Sequence, residues 1–115
     1  MITIFQGNDK NFFFYRKDTK GDVITTVPLA MWFTVKNTLK DEAVRFQKTL
    51  HNGIEQMEDG AWIVHIYAND TANLKNDKYV YDVKIRDENG YLFTIIEPQD
   101  FIVKPVVTRV SNQGG

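Results

Sequence analysis

The chain has 115 residues, 43% of them hydrophobic and 25% charged, with a formal net charge of -1. That length suits one domain with its own core, and the composition lies far from the disordered and collagenous classes. Lys and Arg are scattered among Asp and Glu, which argues against nucleic acid or an anionic membrane as partner, and the absence of cysteine frees the fold from disulfides.

Period-2 alternation of Val, Ile, Phe and Tyr dominates, the pattern of strands half-buried on a pleated sheet. The first strand is expected at residues 2–5; Ile2-Thr3-Ile4-Phe5 is too short for the core of a signal peptide and meets Asp9 at once. Strands follow at 12–17, 23–27, 30–36 and 44–50. Residues 38–46 could be read as a short helix, but Val44, Phe46, Lys48 and Leu50 continue at strand spacing, so a loop and then a strand is expected. Further strands are expected at 54–57, 61–67, 79–86, 92–97 and 101–107.

The separators are turn chemistry: Lys20-Gly21-Asp22, His51-Asn52-Gly53, Glu58-Asp59-Gly60 and Glu88-Asn89-Gly90. Turn signals about 8 to 12 residues apart indicate a sandwich or barrel. Pro28, Pro98 and Pro105 fall at strand starts, breaks or edges, where a missing N–H is tolerated. No apolar run approaches the roughly 20 residues of a membrane helix. Residues 111–115, Ser-Asn-Gln-Gly-Gly, read as a flexible tail after a single domain over 1–110.

The segment 69–87 is the most informative. A polar turn with Asp70, Thr71 and Leu74 should make one helical turn at 70–74, with Asp70 or Thr71 capping backbone N–H groups. It leads into a strand whose alternate residues Tyr79, Tyr81, Val83 and Ile85 face inward, while Val80, Asp82, Lys84 and Arg86 face out. Leu74 is expected beneath the start of that strand, and Tyr79 stands where a corner tyrosine closes the end of a β-sandwich. Met31, Phe33 and Val35, and likewise Trp62, Val64 and Ile66, form inward sets; Ile63, His65 and Tyr67 point outward. The expected fold is therefore all-β, an Ig-like antiparallel β-sandwich of about 7–9 strands with one short helical turn near 70–75.

Chemistry is thinly represented. His51 lies in a turn and His65 on an outer sheet face, without the spacing of a metal site. The carboxylates gather at turns (Asp18 with Asp22, Asp41 with Glu42, Glu58 with Asp59, Asp87 with Glu88), where solvation explains them. Glu58, Asp59 and Asp70 could be imagined around calcium, but no EF-hand pattern accompanies them. No nucleophile elbow, phosphate loop or dinucleotide fingerprint occurs. The expectation is a protein that is not an enzyme, with no catalytic, cofactor or metal residues.

Surface aromatics stand out instead. The run Phe12-Phe13-Phe14-Tyr15 is apolar on both faces, whereas a strand with one face in water should alternate. Trp32, Tyr67, Tyr91 and Phe93 join the outward set. Single aromatics scattered over a surface are the plain alternative, since much protein surface is apolar. The sharper reading is an interface with other protein subunits, carried by Phe13, Tyr15, Trp32, Tyr67 and Phe93. A carbohydrate platform built from Trp32, Tyr67 or Trp62 is a further alternative.

The order of features resembles a known family. Gly7 and Asp9 match its opening G-D, and Phe33-Thr34-Val35-Lys36 matches its F-x-V-K strand. Asp70-Thr71 matches the polar turn, Tyr79 with Tyr81-Asp82 the Y-x-Y-D strand, Glu88-Asn89-Gly90 the next hairpin and Phe101-Ile102-Val103 the closing strand. The chain departs from the family pattern at Val27-Pro28-Leu29-Ala30 and at Gln99-Asp100-Phe101. From Ile2 to about Val110 it is similar to the small Ig-like proteins of phage and prophage tail regions, in particular the N-terminal domain of the baseplate upper protein family. The resemblance implies a non-catalytic virion component, made in the bacterial cytoplasm and assembling with itself and with other tail or baseplate proteins.

Overall fold

A computed structural model describes residues 1–75 and 77–109; the expected flexible tail at 111–115 lies outside them. Ten strands appear in chain order: β1 (Ile2–Phe5), β2 (Lys10–Phe14), β3 (Arg16–Lys17), β4 (Val23–Ile24), β5 (Ala30–Lys36), β6 (Val44–Leu50), β7 (Gly53–Gln56), β8 (Trp62–Ile66), β9 (Lys78–Arg86) and β10 (Leu92–Lys104). One helical turn, α1 (Ala68–Thr71), separates β8 from β9.

Eight strands hydrogen-bond in the order β1-β10-β9-β5-β6-β7-β8-β2, while β3 and β4 form a separate ribbon. The β6–β7 link is brief, two parallel pairs at Thr49–Gly53 and Leu50–Ile54 around a turn. There the sheet folds over, so β7, β8 and β2 form a second layer against β1, β10, β9, β5 and β6. Phe12 of β2 packs on Phe33 of β5 and Tyr81 of β9, with ring centroids 6.2 and 5.6 Å away. The result is the expected all-β sandwich, laid out as in an Ig-like domain. Most pairings are antiparallel; β1 runs parallel to β10 through Ile2–Phe101, Thr3–Ile102, Ile4–Val103 and Phe5–Lys104.

The core is what the alternation predicts. Met31, Phe33 and Val35, then Trp62, Val64 and Ile66, then Tyr79, Tyr81, Val83 and Ile85 are all buried, with Ile2, Ile4, Phe101 and Val103 from the paired terminal strands. Burying such side chains contributes about 1.5–3 kcal/mol each for the larger aliphatics and Phe. Leu74 joins them beneath β9, and the Tyr79 hydroxyl donates 3.1 Å to the carbonyl of Lys75, four residues upstream. That is the tyrosine corner read from the sequence.

The helical turn begins two residues earlier than expected. Asp9 Oδ1 accepts from the N–H of Ala68 at 2.6 Å and Asp70 Oδ2 from that of Tyr67 at 2.7 Å, so these carboxylates fix where the turn starts. Thr71 caps nothing in α1. Its buried hydroxyl accepts from the N–H of Gly7 at 2.9 Å, and Gln6 Nε2 donates to the carbonyls of Ala72 and Leu74. The end of β1 is thereby stitched to the corner.

Other boundaries moved as well. The strand expected at 12–17 breaks at Tyr15 into β2 and β3, the one expected at 23–27 shortens to Val23–Ile24, and the two expected at 92–97 and 101–107 fuse into β10, which ends at Lys104. β10 passes through Pro98 by slipping register against β9 between Thr94 and Ile96 and again between Ile96 and Gln99. Such irregularities are where a strand accommodates proline. Gly60 turns the chain between β7 and β8 at φ +90°, and a Cβ there would sit 2.9 Å from Thr25 Cγ2. Glycine is required at that turn both by backbone conformation and by space.

Candidate functional site

The turn carboxylates Asp18 and Asp87 are occupied by backbone. Asp18 Oδ1 accepts from the N–H groups of Lys20 and Asp22, and Asp87 Oδ1 from those of Asn89 and Tyr91. These are side-chain-capped turns. Glu58 and Asp59 lie in the turn before β8 and Asp70 in the turn after it, so the strand separates the imagined calcium ligands. His65 lies across the outer face of β8, with Nε2 3.1 Å from Glu55 Oε2 and Nδ1 3.1 Å from the side-chain amide of Asn11.

The five expected interface aromatics fall into three places. Phe13, 52% exposed, stands on the outer face of the second layer, directly across from Ile63. Tyr67, 53% exposed, lies on the same side as His65 and stacks parallel on its ring at 6.0 Å. Lys48 Nζ sits 4.8 Å over the Tyr67 ring and 2.7 Å from Asp70 Oδ2, its side chain largely buried. Trp32 occupies the outer face of the first layer, flanked by Lys84 of β9 and Thr49 of β6. Phe13 and Trp32 thus point away from each other on opposite layers.

Tyr15 and Phe93 are the pair that tertiary structure brings together. Both line a cleft of about 790 Å³ between the β3–β4 ribbon and β10, whose floor carries Ile24, Ile85 and Ile95. The Tyr15 hydroxyl donates to Asp59 Oδ2 at 2.9 Å. That hydrogen bond and the nearby negative charge raise the Tyr15 phenol above its ordinary range. The Ala61 N–H, followed by the Tyr15 hydroxyl, holds the Asp59 carboxyl below its own.

Arg16 was not singled out by the sequence, yet it anchors this cleft. It is 7% exposed, and Nη1 donates to the Thr26 carbonyl at 2.8 Å and to Glu88 Oε1 at 3.1 Å. A buried guanidinium needs such partners. The signal that marks it is phase: Phe12, Phe14 and Arg16 alternate onto the inward side. Arg16 ties the ribbon to the turn between β9 and β10, and so sets the width of the cleft.

The chemistry offered is apolar contact and strand pairing. β2 and β1 are the two ends of the strand order, and β2 pairs on one side only among the described residues. On its outer edge β10 is covered by β1 from Phe101 to Lys104; Leu92 to Asp100 have no strand there among the described residues. No protein-family model and no curated protein matches the chain.

Proposed function

We propose that this protein is a non-catalytic structural component of a phage or prophage tail or baseplate, which assembles with itself and with other virion proteins through sheet surfaces and strand edges. The observation that carries the reading is β2. It is an end strand of the sheet, it packs Phe12 against the core, and it still exposes Phe13 and, just beyond it, Tyr15 to about half their surface. An edge strand that is apolar on both faces is a ready template for another chain. The family resemblance supports the setting, because its Y-x-Y-D strand is the corner-tyrosine strand and its polar turn is the one stitched to β1.

The test is the mass of the purified protein in solution by light scattering over a range of concentrations, with and without Phe13→Glu. Assembly that weakens in the variant, with an unchanged circular dichroism spectrum, supports the reading. A monomer in both cases overturns self-assembly through this strand. Of the residues offered for a carbohydrate platform, Trp62 is fully buried and Trp32 and Tyr67 occupy different faces, which favours the assembly reading.

A further inference from the structure

The open cleft and the segment that leaves the domain after β10 are complementary. The cleft presents Phe93, Ile95, Ile24 and Tyr15 to an incoming chain, beside the stretch of β10 that has no neighbour on its outer edge among the described residues. Phe93 is 49% exposed, and Leu92 next to it equally so. A site of this form, an unpaired sheet edge beside an apolar cleft, takes an extended strand.

Residues 105–109 are such a strand-former without a home. They read Pro-Val-Val-Thr-Arg, β-branched and outside any sheet, and Val107 is 101% exposed. Charge agrees as well. The segment is bracketed by Lys104 and Arg109, while the rim of the cleft carries Asp18 and Asp87 against Lys17, Arg16 and Glu88 neutralising each other.

Geometry prevents these residues from filling the cleft of their own molecule. The 13-residue β10 has Phe93 at one end and Lys104 at the other, and at ~3.3 Å per residue it spans roughly 40 Å. Residues 105–109 reach at most about 18 Å. The occupant is a second copy.

We infer that residues 105–109 of one molecule add as a strand to the Leu92–Asp100 edge of the next, with Val107 entering the cleft between Phe93 and Tyr15. The contact is head-to-tail, joining different surfaces of the two copies, and therefore builds a ring or a filament and not a closed two-fold dimer. It rests on the self-assembly proposed above and adds to the β2 contact a second one, with its own site and donor, that the oligomers also require.

The experiment uses the full chain and light scattering after size-exclusion chromatography. Wild type should form oligomers that grow with concentration, and Val107→Asp and Phe93→Glu should each be monomeric. Mixed together, these variants should form a dimer and nothing larger, since the mixture retains one intact donor and one intact cleft. Should Phe93→Glu fold poorly, a labelled peptide of residues 104–109 should bind the Val107→Asp protein, seen as a rise in fluorescence anisotropy. Oligomers that persist in Val107→Asp, variants that fail to pair, or a peptide that does not bind overturn the inference. If Phe13→Glu disperses the oligomers while Val107→Asp does not, this inference falls and the proposed function stands. A wild-type monomer at every concentration removes both.

Discussion

Phe12 and Tyr81 meet edge to face across the two layers, ring centroids 5.6 Å apart and planes at 75°. Tyr81 stands two residues after the corner tyrosine, the place of the second cysteine in an antibody domain, and Phe33 packs on both rings at the place of the β-strand tryptophan there. In a chain without cysteine, an aromatic triad does the cross-layer work of a disulfide. Phe12→Ala should cost about 2–4 kcal/mol, below the full burial value because Phe12 is only partly buried. A double-mutant cycle of Phe12→Ala with Tyr81→Ala, by chemical denaturation, should show a coupling of about 0.5–1.5 kcal/mol. Strict additivity would mean that the two rings stabilise the layers independently.

The corner hydroxyl can be isolated from its ring. Tyr79→Phe keeps the packing and removes the hydrogen bond to the Lys75 carbonyl. The expected loss is about 0.5–1.5 kcal/mol with an unchanged denaturant slope. A stability equal to wild type would show that water replaces the hydroxyl at no cost.

Lys48 and Asp70 form the best-shielded ion pair of the described residues, at 2.7 Å with side chains 12% and 17% exposed. It clasps β6 to α1 between the layers. Lys48→Met retains the stem and leaves Asp70 with the Tyr67 N–H alone, and should cost about 1–3 kcal/mol. Because the pair is largely withdrawn from solvent, the loss should change little between low and high salt. A loss that vanishes in high salt would mark an ordinary surface pair.

The Tyr15–Asp59 hydrogen bond predicts a pH signature. Asp59 is held below its ordinary value of 3.8, so its contribution is full above that pH and disappears as pH falls through the lowered midpoint. Tyr15 is raised above 10.0, so its contribution is full below that pH and is lost as pH rises through the raised midpoint. Burial likewise raises Tyr81, which should ionise late in a spectrophotometric titration. In Tyr15→Phe the Asp59 midpoint should move upward by carboxyl-detected NMR and stay below 3.8, since the Ala61 N–H remains. An unmoved midpoint would show that the hydroxyl does not hold the carboxylate.

What could be read from the chain was whatever repeats over a few residues. Strands β1, β5 and β6 begin and end where alternation places them, and the inward faces of β5, β8 and β9 follow from their phase alone. The same local logic marked the Asn-Gly and Asp-Gly turns and the corner tyrosine. It failed where a distant group set the outcome. Asp9, far upstream, fixes the start of α1, and the β10 register shifts carry it past a proline that locally reads as a break. It also could not anticipate that Phe13 and Trp32 lie on opposite layers while Tyr15 and Phe93 line one cleft.

The sequence by itself determined the class of fold, the buried faces and the absence of any need for disulfides, because side-chain period and turn chemistry are local properties of the chain. Only the tertiary structure decided which strands became neighbours, that Arg16 would be buried against Glu88, and that the edge of β10 would stand open beside an apolar cleft. Layer stacking joins residues remote in sequence, and no short-range pattern records which of them will meet.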